Sequence, residues 1–66
     1  MKTRNELKAI RIALGLTQKD LARNAEIGLN AVINFEKGQN VRPSSEKAIR
    51  TAIAREMAAN PYLLQP

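Results

Sequence analysis

Apolar residues recur along this chain at intervals of three and four, the spacing that places side chains on one face of an α-helix. Leu7, Ile10 and Leu14 form the first such stripe. No stretch alternates apolar and polar residues in the way a half-buried strand does. We therefore predict an all-α fold, a compact bundle of four to five short helices separated by short turns.

Capping signals set the predicted limits of the first two helices. Thr3 opens the segment Thr-Arg-Asn-Glu, which has the spacing of a capping box, and Thr17 opens a second one, Thr-Gln-Lys-Asp. Gly15 lies between them and is expected to end the first helix in a left-handed conformation. The second helix is only about two turns long, so it needs support from the rest of the fold.

Two further helices and a terminal turn are predicted. The third helix covers residues 29–37 and ends at Gly38. The fourth and longest helix is expected to begin with Ser44 or Ser45 as its N-cap and to run to about Ala59. The inward positions of the four helices form the predicted core: Leu7, Ile10, Leu14, Leu21, Val32, Phe35, Ile49 and Ile53.

The length of 66 residues allows one domain, residues 1–66, which buries only about 60% of the surface of the unfolded chain. The chain contains no Cys and no His. A disulfide framework, a thiolate metal site and the commonest general base are therefore all missing, so an enzyme is the least expected class and no cofactor is implied. The first residues are polar and no apolar run reaches the length of a membrane span, so we expect a cytoplasmic protein.

The charge balance favours a nucleic-acid partner. Eleven Lys and Arg residues against six Asp and Glu residues give a formal net charge of +5. Many small soluble proteins are also basic, so charge alone does not decide the function. The only aromatic residues are Phe35 and Tyr62, too few to form a stacking surface for single-stranded nucleic acid.

Residues 17–38 carry the most informative pattern: a two-turn helix, a three-residue turn and a third helix with small polar residues near its start. Two helices joined at a steep angle by such a turn form a helix-turn-helix, whose second helix can enter the major groove of DNA. Leu16-Thr17-Gln18-Lys19-Asp20-Leu21-Ala22, Ile27, Val32, Phe35-Glu36-Lys37-Gly38 and Arg42-Pro43 together resemble the Cro/repressor-type (XRE-like) helix-turn-helix family of phage and bacterial regulators, with its lambda-repressor-like fold. The resemblance extends over about residues 4–64.

The resemblance implies a role for each matching position. The residues expected to contact base edges are Leu29, Asn30, Ala31 and Asn34. Those expected to contact DNA phosphates are Thr17, Gln18, Lys37, Asn40 and Arg42. Arg11 and Glu36 match a structural ion pair of the family. The two-fold contact of a dimer is expected to involve Met57, Tyr62, Leu63 and Leu64.

The chain departs from the family pattern in three places. Glu26 stands in the turn where the family usually has Gly, so the turn has either a strained left-handed residue or another shape. Gly28 stands where a Ser or Thr usually caps the recognition helix, and it is a weaker cap. Leu29 and Ile33 are apolar and four residues apart on the helix expected to be exposed, so they contact either thymine methyl groups or a protein.

The resemblance implies a sequence-specific regulator of transcription that binds double-stranded DNA, a repressor that occupies an operator as a homodimer. The alternative is an antitoxin-like or adaptor module on the same fold, in which Leu29 and Ile33 bind a protein such as a toxin. A peptide that binds membrane surfaces is disfavoured, because the apolar stripes are narrow and acidic residues interrupt the basic faces.

Overall fold

The computed structural model describes residues 2–60, in which the chain forms four α-helices and no strand. They are α1 (Arg4–Ala13), α2 (Gln18–Ala25), α3 (Leu29–Glu36) and α4 (Pro43–Ala59). The predicted all-α fold is confirmed. The predicted terminal turn falls outside the described residues. Judged by length and hydropathy, none of the helices within residues 2–60 qualifies as a membrane span.

Both predicted capping boxes are present. Thr3 Oγ1 accepts a hydrogen bond from the Glu6 amide at 3.1 Å, and the Thr3 amide donates to the Glu6 carboxylate at 3.1 Å. The corresponding two distances between Thr17 and Asp20 are 2.9 Å. In each box the threonine amide, and after it the hydroxyl, stabilises the carboxylate and lowers the pKa of Glu6 and Asp20 below their ordinary values.

The first three helices all end in the same way. Gly15, Glu26 and Gly38 follow them in the left-handed conformation, with φ of +75°, +58° and +81°. Around Glu26, the Glu26 amide bonds to the Arg23 carbonyl and the Ile27 amide to the Ala22 carbonyl, which is the Schellman motif. Glu26 is the only non-glycine residue with positive φ among residues 2–60, so the turn keeps the family's left-handed shape without the family's glycine.

The predicted start of the fourth helix is wrong. α4 begins at Pro43, and its N-cap is the extended Arg42 (φ −62°, ψ 142°), so Ser44 and Ser45 lie inside the first turn. Proline fits the first helical position because its φ is already set and it has no amide hydrogen to satisfy. The proline also keeps Arg42 out of the helical conformation.

The core lies where the four helices meet. Its buried apolar residues are Leu7, Leu21, Ala22, Val32, Phe35, Ile49, Ala52 and Ile53. Ile10 is only partly buried and packs against this cluster. Leu14, predicted to be a core residue, is half-buried and lies outside the cluster, because it is the C-cap of α1, where the chain turns towards α2.

Candidate nucleic-acid interface

The helix-turn-helix is built from α2, residues 26–28 and α3. Ala22 is buried in α2, where a larger side chain would push neighbouring helices apart. Ile27 in the turn packs against the core and anchors the connection. Gly28 is the N-cap of α3; its carbonyl accepts the Ala31 amide at 3.1 Å, but it has no side chain that could accept a further amide of the first turn.

α3 has one buried face and one accessible edge. Val32 and Phe35 are almost completely buried, at 0% and 1% exposure. The four residues expected to contact bases lie on the rest of the helix; Leu29 and Asn30 are exposed, and Ala31 and Asn34 are half-buried. Asn30 and Asn34 lie one turn apart on the same side of the helix. Within the described part of the chain, their side-chain amides have no hydrogen-bond partner. Two uncommitted amide groups are therefore available along one edge of α3.

Basic and polar side chains surround the end of α3. Lys37 is its C-cap, and Asn40 and Arg42 lie in the connection to α4. All three are exposed, and their side chains form no hydrogen bond or ion pair with any residue from 2 to 60. They are free to meet an anionic partner.

A buried ion pair links α1 to the end of α3. Arg11 Nε donates to Glu36 Oε2 at 2.7 Å and Arg11 Nη2 donates to Glu36 Oε1 at 3.1 Å. The Arg11 and Glu36 side chains are 10% and 4% exposed. Arg11 Nη1 also donates to the Leu16 carbonyl at 2.7 Å, which leaves the guanidinium well paired.

Gln18 joins this buried pair, a contact that sequence reasoning missed. Its Nε2 donates to Glu36 Oε1 at 3.0 Å, which connects the N-terminal end of α2 to the last residue of α3. One of the two Nε2 hydrogens is used in this bond, so the other can still donate to a phosphate. Thr17 is exposed beside it, and its hydroxyl oxygen accepts the Asp20 amide. No local sequence pattern indicates a bond between residues 18 positions apart.

Of the residues expected in a dimer contact, Met57 is described; it is partly buried and packs against the core. Tyr62, Leu63 and Leu64 lie outside the described residues.

Within residues 2–60 no three Asp or Glu side chains are grouped so that they could hold a metal ion.

A helix-turn-helix family model matches residues 7–54, more than half of the chain. The chain therefore belongs to the XRE-type helix-turn-helix family, as the sequence motifs indicated. This is a family of DNA-binding transcription regulators, and that is the class of this protein. A search of curated proteins and a search of solved structures each found no significant match.

Proposed function

We propose that this protein recognises a specific sequence in double-stranded DNA and represses transcription by occupying an operator as a homodimer. It would do so as a single domain, without a cofactor, in the cytoplasm of a bacterium or of a phage-infected cell. The observation that carries the proposal is the uncommitted amide edge of α3, bordered at one end of the helix by free cationic side chains.

The accessible edge of α3 would contact the bases. An asparagine amide can donate to and accept from the N6 and N7 edge of adenine at the same time, which suits Asn30 and Asn34. Leu29 and Ala31 have no polar group and would contact thymine methyl groups. Because the buried face of α3 is anchored by Val32 and Phe35, these side chains would approach the groove on a rigid support.

Phosphate contacts would fix the protein on the duplex at two places. Thr17 and Gln18 lie at the N-terminal end of α2, where free backbone amides and the helix dipole favour an anion. Lys37, Asn40 and Arg42 would contact the backbone beyond the end of α3. The net charge of +5 supports this assignment, since each neutralised phosphate releases counterions.

A dimer is proposed because one recognition helix covers only a few base pairs. Two copies would place their recognition helices in successive major grooves about 34 Å apart. Met57 lines a shallow apolar groove with Leu7, Ile53 and Ala54, which supports a protein contact at this end of α4. Tyr62, Leu63 and Leu64 follow closely in the sequence and would extend that contact.

One observation favours the alternative of an antitoxin-like or adaptor module. Leu29 is 42% exposed, and Ile33 follows one turn later at a half-buried position. An apolar pair on an accessible helix edge can bind a protein as readily as a thymine methyl group. The partner would then be a toxin or another regulator.

Selection of binding sites from random duplexes at physiological salt tests the proposal. We expect enrichment of a palindromic sequence whose two halves are about one helical turn apart. Arg42→Ala should weaken binding to every duplex, whereas Arg55→Ala should have little effect, because Arg55 lies near the other end of α4, about 18 Å along the helix from Pro43. Failure to enrich any sequence, together with equal effects of the two variants, would reject the regulator and leave the protein-binding alternative.

A further inference from the structure

Arg4 opens α1, yet its side chain reaches the far end of α3. Arg4 Nη1 donates to the Gln39 carbonyl at 2.7 Å and to the Phe35 carbonyl at 3.2 Å. Its guanidinium carbon lies 4.6 Å from the centre of the Phe35 ring. Nη2 lies 3.6 Å from Glu46 Oε1 on α4. One side chain thus contacts the end of α3, the connection that follows it, and α4.

The position of Arg4 in the first turn of α1 does not explain why a basic residue stands there. The first turn of a helix carries the positive end of the helix dipole, which disfavours a cation there. The guanidinium instead lies on carbonyls at the C-terminal end of α3, where a cation is favourable. The tertiary contact, not α1 itself, explains an arginine at this position.

Arg4 contacts the middle of the α3–α4 loop, residues 37–42. Its start is fixed by Gly38 and by the bond from the Gln39 amide to the Asn34 carbonyl, and Val41 packs against the core near its other end. Gln39 and Asn40 between these points are exposed. Among the described residues, Arg4 is the one whose side chain donates to a carbonyl of this stretch.

We propose that Arg4 is a positioning residue for DNA binding, which holds the α3–α4 loop so that Lys37, Asn40 and Arg42 meet the duplex backbone together. The inference rests on the proposed function, because it assigns those three side chains to phosphates. Arg4 itself touches no DNA. A loop ordered before binding loses less conformational freedom when the complex forms, so the contacts that it presents bind more tightly.

An arginine is needed for this geometry. Its planar guanidinium can donate to two carbonyls while it stacks flat on an aromatic ring, whereas a lysine ammonium keeps the charge and its N–H donors but has no planar group to stack. Arg4→Lys therefore keeps the net charge of the protein and removes the combined contact with the two carbonyls and the ring. Long-range attraction to DNA stays unchanged in this variant.

Arg50 provides a matched control. It also lies over the Phe35 ring, at 5.8 Å from the centroid, and its Nε pairs with Glu46 at 3.2 Å. Its remaining hydrogen bond goes to the Lys2 carbonyl at 2.6 Å and not to the α3–α4 loop. Arg50→Lys therefore disturbs the same ring and the same carboxylate without removing a hydrogen bond to the loop.

The test measures binding of the selected duplex at several salt concentrations, together with hydrogen exchange in the free protein of the Gln39 amide, which is bonded to the Asn34 carbonyl. Thermal unfolding identifies a temperature at which every variant is folded. For Arg4→Lys we expect faster exchange at the Gln39 amide, an affinity lower by about five- to tenfold and a shallower salt dependence. Arg50→Lys should change the affinity by less than about twofold.

A double-mutant cycle with Arg42→Ala completes the test. If Arg4 acts by presenting the loop, Arg4→Lys should cost less in the Arg42→Ala background than in the original protein. Equal weakening by the Arg4 and Arg50 variants, additive effects in the cycle, or unchanged exchange at the Gln39 amide would overturn the role of Arg4 while DNA binding stands. If the original protein bound no duplex, the proposed function would fail, and the positioning role with it.

Discussion

The carboxylate of Glu36, at the end of α3, accepts two hydrogen bonds from Arg11 of α1 and one from Gln18 of α2. The shortest of these, from Arg11 Nε, is 2.7 Å. One buried anion thus connects α3 to the two helices that precede it. Both the stability of the fold and the placement of the proposed phosphate contact at Gln18 depend on it.

Removal of the Glu36 charge should destabilise the protein strongly. Glu36→Gln leaves the Arg11 guanidinium buried without a counter-charge, so we expect the free energy of unfolding to fall by about 3–5 kcal/mol. Urea denaturation measures this change in the free energy of unfolding. Glu46→Gln is the control, because the side chain of Glu46 is 35% exposed and its ion pairs should contribute only about 0–1 kcal/mol.

Replacement of both partners distinguishes a buried charge from a simple loss of packing. In Arg11→Met with Glu36→Leu no unpaired charge is left, so the double variant should be more stable than Glu36→Gln. If it were less stable, packing and the bonds to Leu16 and Gln18 would matter more than the pairing of charge.

Asn34 should determine specificity at one base position. Asn34→Ala removes an amide that can bond to both edge atoms of an adenine, and we expect a loss of about 1–3 kcal/mol at that base pair. Affinities for single-base variants of the selected duplex measure the effect. Asn5→Ala, at an exposed position of α1, should leave every affinity unchanged. A uniform loss over all duplexes would show that Asn34 does not read a base.

Glycine at position 26 should stabilise the protein. Glu26 adopts φ +58°, a conformation in which an L side chain is strained and glycine is not. Glycine also loses more freedom on folding, so the net gain from Glu26→Gly is expected to be about 1 kcal/mol, or about 4–8 °C in Tm. Glu26→Ala removes the same carboxylate but keeps the strain, so it should not raise Tm. A similar rise for both variants would assign the gain to charge.

Acid should weaken the starts of α1 and α2. The threonine amides of the capping boxes lower the pKa of Glu6 and Asp20 in the folded protein, so these groups stabilise it fully above their unfolded values of about 4. That contribution is lost as the pH falls through the lower folded values. Denaturation with urea at pH 7 and at pH 2–3 measures the loss.

The double variant Glu6→Gln with Asp20→Asn should lose less stability between these pH values than the original protein, because it has no capping carboxylate to protonate. Glu26→Gln is the control, an exposed carboxylate outside the capping boxes. If the double variant and the original protein showed the same pH dependence, the capping boxes would not be the source of the acid sensitivity.

Local sequence determined most of the fold. The signals that start and end the helices act over a few residues, so these limits can be predicted from each segment alone. They are the capping boxes at Thr3 and Thr17 and the left-handed residues Gly15 and Gly38. The start of α4 does not follow from its own segment, because Ser44 and Ser45 are good caps in isolation, whereas Pro43 is better placed at the first helical position. The motifs around the helix-turn-helix also identified the family from the sequence alone.

Only the tertiary structure decided what the polar side chains contact. Gln18 bonds to Glu36, and Arg4 bonds to Gln39 across 35 positions of sequence; neither contact follows from helical periodicity, which orders only near neighbours. The left-handed shape at Glu26 was likewise open in the sequence, since the residue type disfavours that conformation, and the packing of Ile27 against the core favours it. Interactions between distant segments depend on how the helices pack, and that is set by the whole core at once.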